Sequence, residues 1–301
     1  MRAEGATAEV TLPGPLDVPG SLEVFRRWGD DLLDRWDGGT LLRTLRAGGE
    51  TVAWAAVPAG DLAAPGLLVR VDDPTQLDAA VAAATRLFAV ADPAALDALC
   101  RADPAVAALE ARHPGIRPAC QPDLLTALVR SVSAQQVTLR WAATTRARLA
   151  RATGTVHRVG GREVWALDAA RLADTPPEEL RALQLTTRKA EYIVGIAAEV
   201  AAGRLELEAL RALPDEEVIA RLVRLRGVGH WTAEWLLSRT LCRPRVVAGD
   251  LGVRKAVGVA YLGGRMPTEA EVRRLTAHWG AAAAVAQAIL LHSLVAPPGP
   301  A

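Results

Sequence analysis

The sequence predicts a mainly α-helical protein in which a small α+β part precedes a larger helical part. Short strand-like runs around Gly-Gly turns occur before residue 92, and beyond it apolar residues recur at helical spacing. Only Thr155–Val164 offers an extended interruption. With 301 residues the chain is long enough for two modest domains. We place them at residues 1–105 and 106–301.

The N-terminal part is predicted to contain an antiparallel sheet with helices beside it. β-Branched runs bounded by glycine turns predict strands at Val10–Leu12, within Thr40–Val57 and at Leu67–Val71. Apolar spacing after a capping residue predicts helices at Ser21–Trp36, capped by Ser21, and at Thr75–Phe88, capped by Thr75 or Asp73.

A pair of short helices joined by a tight turn is predicted near residue 228. Pro214 opens the first helix, whose first turn is acidic and whose apolar residues recur at i, i+3, i+4 and i+7. Gly227 and Gly229 end it, and a second helix begins near His230 or Trp231. The pattern is therefore helix, Gly-x-Gly turn, helix.

The Gly-x-Gly turn has the properties of an anion site. Glycines let the backbone approach a ligand closely, and the following helix offers unpaired N–H groups and a positive dipole end. A backbone phosphate fits such a site without sequence preference. A dinucleotide motif is excluded because no strand precedes the turn and the third glycine is missing. The structural alternative is an ordinary helix C-cap.

A single carboxylate, Asp250, follows the turn by about twenty residues. It precedes a segment in which Val253, Val257 and Tyr261 line one helical face, and Gly263-Gly264 ends that segment. Asp250 is therefore predicted to be a helix N-cap, a role worth about 1 kcal/mol.

The hairpin and the helix-opening Asp250 resemble the helix–hairpin–helix DNA glycosylase superfamily. Within it they resemble the alkylation-repair branch, the bacterial 3-methyladenine DNA glycosylase II type. Three more segments are similar to the same family: Arg130–Arg140, Leu185–Ile193 and residues 9–110. The resemblance covers nearly the whole chain. It implies a two-lobed helical glycosylase domain with its active site in the cleft, preceded by a small α+β domain.

The resemblance also implies a reaction. Base excision breaks the bond between C1′ of the sugar and a ring nitrogen, through a transition state with positive charge on the sugar. Asp250 matches the carboxylate that stabilises this charge and orients the attacking water. The branch that also cleaves the strand uses a lysine where Trp231 stands here. Water is therefore the expected nucleophile and an intact abasic site the expected product.

Two tryptophans are the expected base pocket. Trp231 and Trp235 are four residues apart and share one helix face. The resemblance implies that they stack on the extruded base, and a cationic base is attracted to an indole face. The alternative is a pair of core aromatics. Leu291 stands near the position where the family usually carries a further aromatic residue, which leaves the shape of the pocket open.

The expected DNA contacts also come from the resemblance. They are Gln135, Gln136, Gly227, Gly229, Thr232 and Arg245. Gln136 matches the wedge that enters the base stack when the base leaves, whereas the alternative for both glutamines is a solvated loop. The glycines and Thr232 match phosphate-clamping positions, and Arg245 is a candidate phosphate contact.

Charge and cysteine usage agree with a DNA-binding protein of a reducing compartment. Residues 1–114 carry a net charge of −7 and residues 115–255 carry +7, so the hairpin lies in the basic part. Cys100, Cys120 and Cys242 show no metal spacing and no disulfide framework. No cysteine follows Cys242, which excludes the iron–sulfur cluster of a related branch. We expect no metal and no cofactor.

The expected location of the protein follows from the absence of export and membrane-spanning signals in the sequence. The first thirty residues have no basic start followed by an apolar stretch, so no signal peptide is predicted. The apolar run at Ala281–Ala296 is short and polar enough to be a buried helix rather than a membrane span. We expect a cytoplasmic, nucleoid-associated monomer.

The leading hypothesis is a monofunctional glycosylase that flips out and excises alkylated purines from double-stranded DNA. A non-catalytic module that recognises DNA lesions through the hairpin remains open. An oxidised-base glycosylase that also cleaves the strand is disfavoured by the missing hairpin lysine. The preferred base stays open.

Overall fold

The computed structural model describes residues 5–296. Its N-terminal part contains a five-stranded antiparallel sheet of order β1-β5-β4-β3-β2. The strands are β1 Ala6–Thr11, β2 Arg35–Trp36, β3 Leu41–Ala47, β4 Glu50–Gly60 and β5 Pro65–Val71. Gly48 and Gly49 both have positive φ in the β3–β4 turn, as a two-residue hairpin requires. The predicted strands and this turn are confirmed.

The prediction of a helix at Ser21–Trp36 is wrong. The segment contains the end of α1 (Val18–Leu22), a 3₁₀ turn (Glu23–Phe25) and the short strand β2. Asp17, not Ser21, caps α1 by accepting the N–H of Gly20 at 2.9 Å. Gly29 and Leu32 have positive φ, and the Asp30 side chain accepts the N–H of Leu32. These local turns compete with the helix that the apolar spacing favours.

The second N-terminal helix is confirmed. It comprises a 3₁₀ turn at Pro74–Gln76 followed by α2, Leu77–Thr85. Asp73 is its cap, since its carboxylate accepts the Thr75 N–H at 3.0 Å.

The rest of the chain is helical apart from one hairpin. The helices are α3 Pro93–Ala102, α4 Pro104–Arg112, α5 Leu124–Ala134, α6 Leu139–Thr153, α7 Ala169–Ala173, α8 Pro177–Ala182, α9 Thr187–Ala201, α10 Leu207–Arg211, α11 Asp215–Leu222, α12 His230–Arg239, α13 Leu251–Tyr261, α14 Glu269–Thr276 and α15 Ala283–Ser293, with a 3₁₀ turn at Ala277–Ala282. The extended interruption is a β-hairpin, β6 Gly154–Val159 and β7 Arg162–Leu167. Its Val159 and Val164 pack on Leu42 of the sheet.

The helices form two lobes with separate hydrophobic cores, as the predicted fold class requires. One core joins α5 to α12, with Leu128 and Leu237 fully buried. The other joins α13 and α15 around Trp279 and includes Leu99 of α3 and Val106 of α4. The domain boundary predicted after residue 105 therefore falls inside α4, a helix that packs on the second lobe.

A buried ion cluster joins the sheet domain to the helical lobes. Asp31 and Asp34 pair with Arg130 of α5; Asp31 also pairs with Arg146 of α6, and Asp34 with Arg43. Arg130 Nη2 and Arg146 Nε each lie 2.9 Å from Asp31 Oδ2. Burial raises the pKa of Asp31, but the charges of the two arginines outweigh it and lower the pKa to about 2.

Two cysteines correct the sequence-based prediction that no disulfide forms. Cys120 and Cys242 are joined by a disulfide with their Cα atoms 6.2 Å apart, whereas Cys100 is a free thiol. The pair is separated by 122 residues, a spacing that carries no signal in sequence. Across residues 5–296, no helix combines the length and apolar character that crossing a membrane requires.

Candidate active site

A cleft of about 1210 Å³ is lined by residues of both lobes and of the sheet domain. Seven of the predicted site residues line it: Gln135, Gln136, Trp231, Thr232, Trp235, Asp250 and Leu291. A Cβ placed on Gly252 would lie 3.0 Å from Asp250 Oδ1 and 3.3 Å from Leu291 Cδ2, so these two side chains are neighbours. The fold thus brings together residues that are more than 100 positions apart.

Asp250 is the N-cap of α13, as predicted. Its Oδ1 accepts the N–H of Val253 at 2.9 Å. Its Oδ2 accepts the indole N–H of Trp231 at 2.9 Å and that of Trp235 at 3.2 Å. Three donors and a helix N-terminus therefore face one carboxylate, and all of them stabilise its negative charge. A carboxylate has room for about four acceptor contacts, so one direction stays open toward the cleft.

The tryptophans therefore have a role that the sequence did not reveal. Both are partly buried and line the cleft. Because each indole N–H is fixed on Asp250, the two rings and the carboxylate form one rigid unit. Trp231 occupies the first turn of α12.

The hairpin between α11 and α12 has the predicted form. Gly227 has φ +85°, and a Cβ there would lie 2.2 Å from Cδ2 of Tyr192. Glycine is therefore required here, because the positive φ disfavours other residues and because a Cβ would clash with Tyr192. Gly229 is the exposed N-cap of α12, and a Cβ there would meet no atom within 4 Å. The first N–H groups of α12 have no partner within the helix and lie beside this open backbone.

Two predicted DNA contacts have side chains that are buried or already paired. Thr232 is buried, and its hydroxyl has no hydrogen-bond partner among residues 5–296. Its backbone N–H belongs to the first turn of α12, next to the hairpin. Arg245 pairs with Glu234 at 3.3 Å and with Asp215 at 3.8 Å. These carboxylates neutralise its guanidinium, so we do not include Arg245 in the DNA-contacting surface.

The glutamine loop lies between the hairpin and the cleft. Gln135 Nε2 donates to the carbonyl oxygen of Gly227 at 2.9 Å and thereby ties the loop to the hairpin. Gln136 is exposed and has φ +56°, a left-handed conformation unusual for a glutamine. Lys189 Nζ donates to the Ser133 carbonyl oxygen at 2.9 Å and so fixes the C-terminal end of α5. The backbone is thus held in a conformation that presents Gln136 at the cleft.

Sequence reasoning missed two residues that line the same cleft. Arg239 lies four residues after Trp235, with its guanidinium carbon 5.4 Å from the Trp235 ring centroid. The signal was present, since Trp231, Trp235 and Arg239 are spaced by four. Trp28 of the sheet domain is exposed and also lines the cleft. No signal identified Trp28, because its segment was interpreted as a helix.

Comparison with known proteins agrees with this geometry. The model of the HhH-GPD superfamily base excision DNA repair proteins matches residues 129–281. A DNA-3-methyladenine glycosylase of Bacillus subtilis is 30% identical over 183 residues, which span 60% of this chain and 60% of that relative.

Solved structures show the same fold over nearly the whole chain. A 3-methyladenine DNA glycosylase from Archaeoglobus fulgidus has a TM-score of 0.82 and 23% identity, covering 95% of this chain and 96% of that one. An 8-oxoguanine glycosylase/lyase from Clostridium acetobutylicum, solved with double-stranded DNA, has a TM-score of 0.70 and 16% identity, covering 93% and 92%. Hairpin, helix-capping aspartate and interlobe cleft are the features of a helix–hairpin–helix repair protein. The family match covers half of the sequence, and the chain belongs to the HhH-GPD superfamily of base excision DNA repair proteins.

Proposed function

We propose that this protein is a monofunctional DNA glycosylase that excises alkylated purines, of the 3-methyladenine and 7-methylguanine type, from double-stranded DNA. The observation that carries the proposal is the Asp250 carboxylate, which two indole N–H groups and a helix N-terminus hold at the cleft. The alkylation-repair name of the Bacillus subtilis relative supports the choice of substrate.

DNA binding begins at the hairpin. The open backbone at Gly229 and the free N–H groups of α12 bind a phosphate. Gln136 enters the stack where the damaged base has left, and its amide replaces base-edge hydrogen bonds. The extruded base then enters the cleft beside Trp231 and Trp235, because chemistry at C1′ requires the nucleotide to leave the stack.

The reaction at C1′ needs only one carboxylate. The bond between C1′ and the purine nitrogen breaks, and both bonding electrons leave with the base. In a purine alkylated on a ring nitrogen these electrons neutralise an existing positive charge, so no acid is required. Asp250 stabilises the positive charge that develops on the sugar. Water forms the new bond to C1′, and its proton passes to Asp250 and then to solvent.

Strand cleavage requires an amine that attacks C1′. Trp231 lies at the hairpin position where the strand-cleaving branch carries its lysine. Of the two lysines, Lys189 is buried and bonded to the Ser133 carbonyl. Lys255 is exposed on α13 and lines the cleft. Lys255 lies more than one helical turn beyond Asp250, so we assign it no part in the reaction.

The test uses duplex DNA methylated by an alkylating agent. Wild-type protein should release 3-methyladenine and 7-methylguanine, measured by chromatography. The strand should break only after alkali treatment, and borohydride should trap no protein–DNA adduct. Binding without base release would establish the non-catalytic alternative. A trapped adduct that disappears in Lys255→Ala would show instead that the protein is also a lyase.

A further inference from the structure

Arg239 lines the cleft, and the proposed reaction leaves its charge unused. It ends α12, and spacing by four places it on the helix face that carries Trp231 and Trp235. Its guanidinium carbon lies 5.4 Å from the Trp235 ring centroid. It makes no side-chain hydrogen bond and no ion pair with any residue that the structure describes.

Arg239 is partly buried, whereas other buried or partly buried arginines of the chain are paired with carboxylates. Arg43 pairs with Asp34, Arg117 with Glu110, and Arg130 with two aspartates. Burying a guanidinium without a partner costs free energy, which these ion pairs offset. Burial lowers the pKa of Arg239 to about 10, opposed by the charge of Asp250. Arg239 therefore stays charged at neutral pH while its donors remain free.

Arg239 and Asp250 both contact Trp235 at the cleft. Trp235 Nε1 lies 3.2 Å from Asp250 Oδ2, and the guanidinium of Arg239 packs against the same ring. If C1′ lies beside Asp250 and the purine lies against Trp235, the edge of the base farthest from the sugar can reach Arg239. That edge carries the substituent at C6.

We propose that Arg239 is a specificity-determining residue that donates hydrogen bonds to the C6 oxygen of 6-oxopurines. The inference rests on the proposed function. When the C1′–N bond breaks, the electron pair moves onto the base, and part of this charge reaches the oxygen at C6. A fixed cation at that oxygen therefore stabilises the transition state more than the bound substrate.

The size of the effect depends on the base. Hypoxanthine is neutral and departs with negative charge, so it gains most from Arg239. In 7-methylguanine the same electrons only cancel a positive charge, so the gain is smaller. A 6-amino group on 3-methyladenine is a donor and offers Arg239 no acceptor. Removing Arg239 should therefore slow release in the order hypoxanthine, 7-methylguanine, 3-methyladenine.

The experiment compares single-turnover release of these three bases by wild type, Arg239→Gln and Arg239→Lys. We expect Arg239→Gln to slow hypoxanthine release by about 10- to 100-fold, the range of one charge-assisted hydrogen bond. Release of 3-methyladenine should change by less than about threefold on the same scale. Arg239→Lys keeps the charge but loses the planar fork, and should restore part of the hypoxanthine rate.

The matched control is Arg148→Gln. Arg148 also stacks on a tryptophan, with its guanidinium carbon 5.5 Å from the Trp141 ring centroid, but does not line the cleft. Its replacement should leave the ratio of hypoxanthine to 3-methyladenine release unchanged.

The readout is that ratio of rates, which a folding defect alone does not change. Equal slowing of all three bases in Arg239→Gln would assign Arg239 to a phosphate contact or to packing and overturn the inference. Release rates of all three bases that stay at the wild-type values in Arg239→Gln would overturn the inference as well. If Arg239→Gln does not fold, the ratio in Arg239→Lys decides, and an unchanged ratio there overturns the inference. Wild-type protein that releases none of the three bases would instead refute the proposed function.

Discussion

Replacement of Asp250 by asparagine removes the negative charge from the cleft while keeping the shape of the side chain. The amide oxygen can still accept the Val253 N–H, so the cap of α13 survives. The amide nitrogen, however, then faces the indole N–H groups of Trp231 and Trp235, and donor meets donor. Each partly buried donor that loses its acceptor costs about 1–3 kcal/mol. We expect a measurable fall in the free energy of unfolding as well as a fall in activity.

The loss of activity should appear in the rate of base release, separately from the loss of stability. Without a carboxylate the sugar cation has no counter-charge, and a positioned acid–base group contributes about 100-fold or more to the rate. That factor corresponds to about 2.7 kcal/mol of transition-state stabilisation. Because the hairpin is untouched, affinity for duplex DNA that contains an abasic-site analogue should stay within about threefold, or less than 1 kcal/mol.

Three measurements decide the outcome: single-turnover release of 3-methyladenine, DNA affinity and thermal unfolding. Asp92→Asn is the matched control, because Asp92 also caps a helix, accepting the Ala94 N–H at 3.1 Å, but lies outside the cleft. It should excise at the wild-type rate. Near-normal excision by Asp250→Asn would remove Asp250 from the mechanism. An equal loss of affinity and excision would show that the carboxylate supports DNA binding instead.

Three further predictions follow from neighbouring features. Gln136→Ala should weaken productive binding of paired duplex by about 1–3 kcal/mol but hardly affect single-stranded substrate, and equal losses in binding assays would identify an ordinary surface residue. Trp235→Phe removes the indole N–H but keeps an aromatic ring, whereas Trp235→Ala removes the ring as well. Compared with Trp235→Phe, Trp235→Ala should slow the release of cationic 3-methyladenine more than that of neutral hypoxanthine, by about 0.5–2 kcal/mol. Equal slowing of both bases in a release assay would show that the pocket does not recognise the charge of the base. Asp31→Asn should lower the free energy of unfolding by about 3–5 kcal/mol at pH 7, because Arg130 and Arg146 lose a buried counter-charge. The fall in the pKa of Asp31 from 3.8 to about 2 corresponds to about 2 kcal/mol, a contribution that is present above pH 4 and lost as pH falls toward 2. Denaturant unfolding should therefore show a smaller difference between wild type and Asp31→Asn at pH 3 than at pH 7, and a constant difference would contradict the ion-cluster account.

Features with local signals could be predicted from the sequence. The hairpin was visible because an acidic first turn, apolar spacing and two glycines all lie within twenty residues. The cap at Asp250 was visible for the same reason. The β3–β4 turn follows from Gly48 and Gly49. In each case the residues that specify the structure are neighbours in the chain.

Features that depend on tertiary contact could not be predicted. Spacing placed Trp231 and Trp235 on one face but could not show that both indoles donate to Asp250. The same spacing included Arg239, whose importance appears only once its lack of an acidic partner is known. Cys120 and Cys242 are 122 residues apart and meet only in the folded chain. At Ser21–Trp36 the apolar spacing was misleading, because aspartate side chains satisfy the backbone locally.

The buried charges shared across the sheet and the helical lobes restrict how the two parts can be exchanged. Asp31 and Asp34 of the sheet domain pair with Arg130 and Arg146 of the helices, and Asp34 pairs in addition with Arg43 of the sheet. A chimera that joins these helices to a sheet without the aspartates would bury two arginines without counter-ions. The two parts are thus not interchangeable modules: an exchange keeps these charges paired only if both halves of the ion cluster are transferred together.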